Sequence, residues 1–297
     1  MRRDSFATYH PIVNFCYFAA VLAFSMFFMH PIFQGIALVS AITYSIVLNG
    51  RSAVRFNLLY MMPMLILLAV ANPLFNHAGV TILFYMRDGN PVTRESILYG
   101  IASACMLITV MIWFSCYNKV MTSDKFIYLF GRILPSLSLI FSMVLRFVPR
   151  FKHQIRVISV AQRSIGRDVT QGSIAQRARH GIRILSIMTS WAMENAIETA
   201  DSMRARGYGL PGRTSYSLYR MDRRDRMMLM IMSLLVVIVL IGAGTGENNI
   251  RYFPSIHMKE QSWCSGIVYA AYALLCKLPA ILSLVEELRW KSIVSRT

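Results

Sequence analysis

The chain has 297 residues, 56% of them hydrophobic, with 31 Lys and Arg against 14 Asp and Glu and a mean hydropathy of +0.49. A strongly basic balance raises nucleic acid as a partner, but a soluble protein cannot hide this many long apolar runs. Cytoplasmic loops of membrane proteins collect Lys and Arg, so the composition points to lipid and away from nucleic acid.

The five cysteines (Cys16, Cys105, Cys116, Cys264, Cys276) are dispersed, with no CxxC pair and no Cys/His cluster. Neither a zinc site nor a disulfide framework follows from that spacing, and they read as small packing hydrophobes. The opening MRRDSF before an apolar run resembles a signal peptide. No small-residue cleavage site follows it, and more apolar runs come after, so it is read as leading into a retained first span.

A spanning helix needs about 20 mostly apolar residues. Residues 12–29 qualify, are broken at His30-Pro31, and 32–48 qualify again before Asn49-Gly50-Arg51. Residues 58–74 form a third run, in which Pro63 and Pro73 kink or cap the helix. Next, 80–86 is β-rich and leads into Arg87-Asp88-Gly89-Asn90, a turn sequence that predicts a short hairpin outside the membrane. Residues 96–116, 227–243 and 262–285 are further spans.

The run 126–148 carries Arg132, Pro135 and Arg146, with only 133–145 uncharged between the arginines. That is short for a span and suits a helix lying at the interface or buried against others. Between residues 146 and 226 lie 16 of the 31 Lys and Arg, against six acids. With both termini inside, the basic loops 49–57 and 117–226 and the tail all face the cytoplasm. The opposite loop, 244–261, is balanced, Arg251 and Lys259 against Glu247 and Glu260. A seventh span at 126–148 would throw the basic region outside, so six are expected.

Within the basic region, Lys152, Arg156, Arg163 and Arg167 fall within about a 60° arc of one helix face. Phe151, Ile155, Ile158 and Gln162 make a neighbouring stripe, and Gly166 breaks the helix. A second helix starts near Gly172-Ser173, with Ser173 as its cap. It carries Ile174, Ala178, Ile182, Leu185, Ala192 and Ala196 at mixed three- and four-residue spacing. It ends at Ala205-Arg206, where Gly207 supplies a left-handed cap and Pro211 prevents resumption. An arginine in that last turn also meets the negative end of the helix dipole. One reading lays both helices on anionic lipid. Against it, Glu194, Glu198 and Asp201 sit on the second helix, and both helices finish in an arginine-and-glycine element. Those features suit charged tips presented at a fixed place.

No GxxxxGK[ST] loop exists, and no glycine immediately precedes a lysine, so the chain is not expected to be an ATPase or any other enzyme. Gly242-Ala243-Gly244-Thr245-Gly246 lacks the lysine and reads as a span terminus. No apolar run offers the clustered His, Asp or Glu of an intramembrane enzyme. A stand-alone secondary transporter needs broken helices and midplane polar groups, for which Asn72-Pro73 and Lys277 are the hints. A charge within a span is a functional candidate, although Lys277 also lies near the basic Arg289-Trp290-Lys291, within reach of snorkelling.

At these residues the chain resembles the transmembrane T component of energy-coupling-factor transporters (EcfT/CbiQ-like), which has two long cytoplasmic coupling helices, each ending in an Ala-Arg-Gly signature. The second signature is intact as Ala205-Arg206-Gly207, followed by Tyr208. Leu145-Arg146-Phe147-Val148-Pro149 is similar to the stretch before the first signature, and Ala161-Gln162 follows at the family's distance. The first signature departs from the pattern, reading Ser164-Ile165-Gly166, with Ile165 in the arginine position and Arg163 and Arg167 bracketing it. The likeness covers about residues 9–245.

The resemblance implies an all-α integral membrane protein with about six spans, long amphipathic coupling helices and a short external β-hairpin. Residues 1–118 would form an N-terminal transmembrane region, 119–212 the coupling region and 213–297 a C-terminal transmembrane region. It also implies that the chain binds no cofactor and joins two cytoplasmic ABC-type ATPase subunits, which use ATP and Mg2+, to a small integral membrane substrate-binding (S) subunit. Arg206, with Arg163 or Arg167, would enter acidic grooves on the ATPases. The complex would import a micronutrient, a vitamin or metal ion, across a bacterial or archaeal plasma membrane.

Overall fold

The computed structural model describes residues 5–86, 89–131, 134–210, 219–246, 248–258 and 262–294, predominantly as helix. The chain divides into two compact units, Met1–Phe126 with Tyr219–Thr297, and Ile127–Leu218.

In the first unit, α1 (Pro11–Phe27) and α2 (Pro31–Asn49) start in the same way. His10 and His30 are the N-caps, their Nδ1 atoms accepting from the Ile12 and Ile32 amides at 3.3 and 3.4 Å. The following prolines sit in the first turn, where a missing N–H costs nothing. His30-Pro31 therefore ends one helix and begins the next. After α3 (Arg51–Phe56), a π-helical stretch, Asn57–Met61, leads into α4 (Met62–Phe75). Pro63 cannot donate back to Leu59, and the wider π turn lies directly over that lost bond. The third apolar run is thus one helical column from Arg51 to Phe75, longer than expected, with its proline absorbed rather than breaking it.

The expected hairpin is present: β1 (Ile82–Tyr85) pairs antiparallel with β2 (Pro91–Thr93), with a bulge between Ile82 and Phe84. Gly89, at φ 80°, makes the turn, and the Met86 amide closes it on Asn90 O at 2.9 Å. Arg87 and Asp88 of the predicted turn lie outside the described residues. Thr93 caps α5 (Arg94–Val120), its hydroxyl accepting from Ser96 N at 3.2 Å. Glu95 then holds the incoming strand through the Thr81 hydroxyl at 2.7 Å. A second small hairpin, β3 (Ile250–Arg251) with β4 (His257–Met258), was not expected; too few residues pair for any alternation to be read. Glu247, Lys259 and Glu260 of that balanced loop are outside the described residues.

The short helix α6 (Ser123–Gly131) ends this part of the first unit and runs into the second. α9 (Arg223–Gly244) and α10 (Trp263–Val294) complete the first unit. α9 ends at Gly244 with Thr245 as its C-cap, so the glycine-rich stretch is a helix terminus, as read. Among the described residues five helices are long and apolar enough to cross a membrane: Pro31–Asn49, Arg51–Phe75, Arg94–Val120, Arg223–Gly244 and Trp263–Arg289. The first predicted span contracts to the 17 residues of α1, because Phe28 leaves helical geometry at ψ 100°. Of the cysteines, Cys116 and Cys276 are buried and all five are free thiols. Lys277 points outward on α10.

The core of this unit is an aromatic box. Phe6, fully buried, packs edge-on against Tyr17 at 5.0 Å and lies near Phe18 and Tyr44; Trp113 closes the other side, 6.0 Å from Tyr17. Phe6 is held there by polar ties at both ends of its segment. Lys125, 6% exposed, donates to Ala7 O at 2.6 Å and Val120 O at 3.1 Å. The Asn14 amide, oriented to satisfy both neighbours, accepts from Lys125 at 2.8 Å and donates to Phe6 O at 3.0 Å. Arg224 stacks on Tyr9 at 4.3 Å and donates to Thr8 Oγ1 at 3.2 Å, and Asp225 accepts from the His10 amide at 3.3 Å. Ser5 donates to Glu286 on α10. One short segment therefore binds α6, α9 and α10 together. Lys125→Met takes the ammonium away from the Ala7 and Val120 carbonyls and from the Asn14 amide oxygen, at about 1–3 kcal/mol for each buried one. The full chain in detergent should melt several degrees lower, with Lys125→Arg recovering part of the loss. An unchanged midpoint would place the anchoring elsewhere.

In the second unit, the run 126–148 is not one helix, contrary to expectation. Its first residues finish α6, and α7 (Pro135–Ser164) begins afresh. Leu134, at φ −130° and ψ 75°, is kept out of helical geometry by the proline after it. Arg132 is outside the described residues. α7 then continues for 30 residues, with Pro149 inside it withholding the amide that would bond Leu145 O. α8 (Ile174–Ala205) follows, opened by the predicted Ser173 cap, now seen as a capping box with Gln176.

Two stripes need correction. α7 stops at Ser164, so Arg167 is not on the helical face with Lys152, Arg156 and Arg163; it lies beyond the left-handed turn at Gly166. On α8 the buried positions are Ile184 and Met188, with Trp191 packed against them, whereas Ile174, Ile182 and Leu185 are exposed. Both stripes have helical spacing, and the aromatic partner on α7 selects between them. Phe151 meets Trp191 edge-on at 5.7 Å, Arg150 covers the indole at 5.4 Å, and Ile158 seats against Ile184 and Met188.

Candidate functional site

The candidate residues gather at the two helix ends of the second unit, and those ends are built alike. At the end of α7 the Gly166 amide donates to Arg163 O at 3.0 Å, and the amides of Ile165 and Arg167 both reach Gln162 O, at 3.3 and 3.0 Å. At the end of α8 the Gly207 amide donates to Arg204 O at 2.9 Å, and the amides of Arg206 and Tyr208 both reach Met203 O, at 3.2 and 3.0 Å. Gly166 and Gly207 adopt φ 77° and 81°. The residues before them match as well: Ile165 has φ −101° and ψ 22°, Arg206 φ −87° and ψ 10°. Each end is a Schellman turn, which needs a left-handed residue that glycine supplies without strain.

This equivalence places the candidates in pairs. Ser164 corresponds to Ala205, Ile165 to Arg206, Gly166 to Gly207 and Arg167 to Tyr208. It also pairs Arg163 with Arg204, a residue that the sequence reading passed over. Its signal was available, since Arg204 is the basic residue of the last turn of α8.

The two ends differ in their electrostatics. Arg163 Nε lies 3.0 Å from Asp168 Oδ2, close enough for an ion pair though not aligned as a hydrogen bond. Asp168 is already anchored by Thr170, whose amide and hydroxyl donate to Oδ1 at 2.9 and 2.8 Å. The Thr170 amide first, then its hydroxyl, with Arg163 and His180 adding, hold this carboxyl below its usual range against partial desolvation. Arg206 has no such companion: no carboxylate among the described residues pairs with it. It is exposed, and it faces a cleft of about 420 Å3 shared with Ser142, Arg146, Gly207 and Tyr208.

That cleft brings Arg146 and Tyr208 to the second signature. Pro149 is not part of it and acts within α7. Ala161 lies in the last turn of α7, and Gln162 supplies the carbonyl that closes the first tip, while its buried Oε1 takes no hydrogen bond among the described residues. No group of three or more His, Cys, Asp or Glu among the described residues could hold a metal ion.

The family model described as CbiQ, cobalt transport protein, matches residues 9–216. The chain belongs to that family. Over 94 residues it is 36% identical to the energy-coupling factor transporter transmembrane protein EcfT of Staphylococcus aureus, covering 31% of this chain and 35% of the relative. EcfT of Lactobacillus helveticus is 35% identical over 94 residues, 31% of this chain and 34% of the relative. The matches thus span about a third of the length of these relatives. A longer stretch, 220 residues or 67% of this chain, is 27% identical to a putative ABC transporter ATP-binding protein of Bifidobacterium longum, where it makes up 26% of that protein. Family membership and five apolar helices of spanning length make this CbiQ-family chain a multi-pass membrane protein.

Proposed function

We propose that the chain is the transmembrane energy-coupling subunit of an energy-coupling-factor importer. It grips two cytoplasmic ABC-type ATPase subunits at its helix tips and relays their closure to a small integral membrane substrate-binding subunit. The observation that carries this reading is the pair of long helices ending in the same glycine-closed turn, with position 206 an exposed arginine beside a cleft. A guanidinium stays ionised and makes bidentate bonds to carboxylates, so such a tip suits an acidic groove. The Bifidobacterium relative, named as an ATP-binding protein and resembling this chain over a quarter of its length, supports a working association with ATP-binding chains.

In this reading ATP and Mg2+ belong to the partner subunits, and the chain itself performs no hydrolysis. The cargo, a vitamin or a metal ion, is selected by the substrate-binding subunit. Exposed apolar residues along α8, Ile182, Leu185, Met193 and Ile197, recur at helical spacing and give that subunit a surface to ride on. α1 serves as a sixth span, since 17 residues reach about 25 Å. Both termini then lie in the cytoplasm of a bacterium or archaeon.

The test is co-purification of nucleotide-hydrolysing subunits with the full chain from detergent. Exchanging Arg163 and Arg167 together for Ala should weaken recovery less than Arg206→Glu does, because Arg163 is already engaged by Asp168. The reverse ranking would mean that the tips have been assigned the wrong way round.

A further inference from the structure

At the hairpin end of the first unit, an open groove of about 370 Å3 runs between α4, the β1–β2 hairpin and α5. Val70 and Leu74 of α4, Phe84 and Val92 of the hairpin, and Ile97 and Ile101 of α5 wall it, and no polar side chain lines it. The hairpin cannot collapse into this space, because its base is fixed by polar ties. The Thr81 hydroxyl donates to Glu95 and the Thr93 hydroxyl to Ala78 O, both at 2.7 Å. The rim continues the outer surface of the bundle, since α4 buries none of its residues and all four residues of β1 are exposed. Such an apolar surface is a liability in water and none beside lipid. Ile97 and Ile101 follow Arg94 at helical spacing and share its face of α5. Arg94 is exposed, and no carboxylate among the described residues pairs with it; the neighbouring Glu95 is engaged by Thr81.

We propose that this groove holds one acyl chain of a membrane phospholipid, whose phosphate is taken by Arg94. Depth along α5 supports both halves of the site. Arg94 and Lys119 lie about 37 Å apart along the helix, against a hydrocarbon core about 30 Å thick. Arg94 therefore stands at one headgroup level. Ile97 and Ile101 lie about 5 and 10 Å deeper, where lipid tails run. A guanidinium makes bidentate, charge-assisted bonds to phosphate. An empty groove would forfeit dispersion contacts along its walls, and a single hydrocarbon chain restores them. A partner helix, about 10 Å across, can lie over the groove but not enter it. The hairpin, expected outside the membrane, then rests against lipid, and the bound chain pins it to α4. The site is independent of ATPase docking, since it needs only that these helices span a bilayer.

The experiment places the full chain in phosphatidylcholine vesicles containing a trace of phosphatidylcholine with a diazirine on one acyl chain. After illumination, labelled peptides are identified by mass spectrometry. The expected result is labelling at Val70, Leu74 or Ile101 well above that at Met230 and Leu234, which are exposed on α9. Val70→Phe fills the groove and should abolish this excess while labelling of α9 is unchanged. Arg94→Gln should lower it about tenfold, the scale of losing one charge-assisted hydrogen bond. Arg94→Lys keeps the charge and should stay within about threefold of the parent. Diacylglycerol carrying the same diazirine has no phosphate, and should label the parent as weakly as the phospholipid labels Arg94→Gln. Both substituted positions are exposed, so the fold is retained, and labelling of α9 checks that it is. Groove labelling no stronger than that of α9, or unmoved by Val70→Phe, would mean passing lipid only and would overturn the proposal. Equal labelling by the diacylglycerol, or in Arg94→Gln, would take Arg94 out of the site and overturn it too. So would p-benzoylphenylalanine at position 74 crosslinking to a protein chain instead of to lipid.

Discussion

Arg206→Glu is expected to strip the ATPase subunits from the purified complex while the chain still inserts into the membrane in normal amount. The side chain is exposed at the C-cap of α8, and no ion pair among the described residues depends on it. Its backbone is held by Gly207 and by the Met203 and Ser202 carbonyls. The fold therefore loses little, a few tenths of a kcal/mol from a carboxylate at the negative end of the helix dipole. The complex loses much more, because truncating one member of a buried, hydrogen-bonded charge pair costs about 2–5 kcal/mol. That range corresponds to roughly 30-fold or more in affinity, and charge reversal adds repulsion to the loss. Arg206→Gln separates the two contributions, since it removes the charge and adds none of the opposite sign. It should fall between the parent and the Glu variant. ATPase recovery equal to the parent in both variants would show that position 206 does not dock a motor.

What the sequence made legible here was local. The Ser173 cap, the glycine stop at 207 and the turn at Gly89 are each written in a few consecutive residues, and the structure contains all three. What escaped was decided by partners far away in the chain. Ile182 and Leu185 are as apolar as Ile184 and Met188, and only Phe151 and Ile158, across the hairpin on α7, pick the second pair as the buried one. Phe6 precedes every predicted span, yet it fills the centre of the aromatic box, because Lys125 and Asn14 hold its segment from elsewhere. Membrane helices sharpen the difficulty. They are apolar all round, so periodicity does not separate the lipid-facing side from the protein-facing one. At the candidate site the same division holds. The intact signature and the place of Ile165 in the altered one could be read directly, whereas the match of Arg163 with Arg204 needed the two turns side by side, and the Arg163–Asp168 pair needed the loop's path.

Glycines that permit close helix contact are a further feature hidden from sequence, and Gly100 is the sharpest of them. α4 has no buried residue of its own, yet it lies against α5 so closely that a Cβ added at Gly100 would sit 2.7 Å from Ala69 O, 3.0 Å from Asn72 Cβ and 3.3 Å from Pro73 Cδ. The nearest of these is a backbone oxygen, which moves only if the whole helix moves. Apolar side chains give little drive for association within lipid, so tight backbone approach at small residues carries much of the packing. Gly100→Ala should therefore cost about 1–3 kcal/mol through overpacking, even though alanine in a helix is normally favoured over glycine by about 1 kcal/mol. Gly35 on α2 supplies the comparison, with nothing within 4 Å of its would-be Cβ. Gly35→Ala should be neutral or slightly stabilising, so of the two substitutions only Gly100→Ala is expected to lower the melting midpoint of the detergent-purified chain. A cysteine placed at Asn72, which lies under Gly100, should also become more reactive to a small thiol reagent in the Gly100→Ala background, as α4 is prised outward. Equal midpoints for the two alanine variants, with Asn72→Cys no more reactive than before, would mean that α4 is held to α5 by something other than this contact.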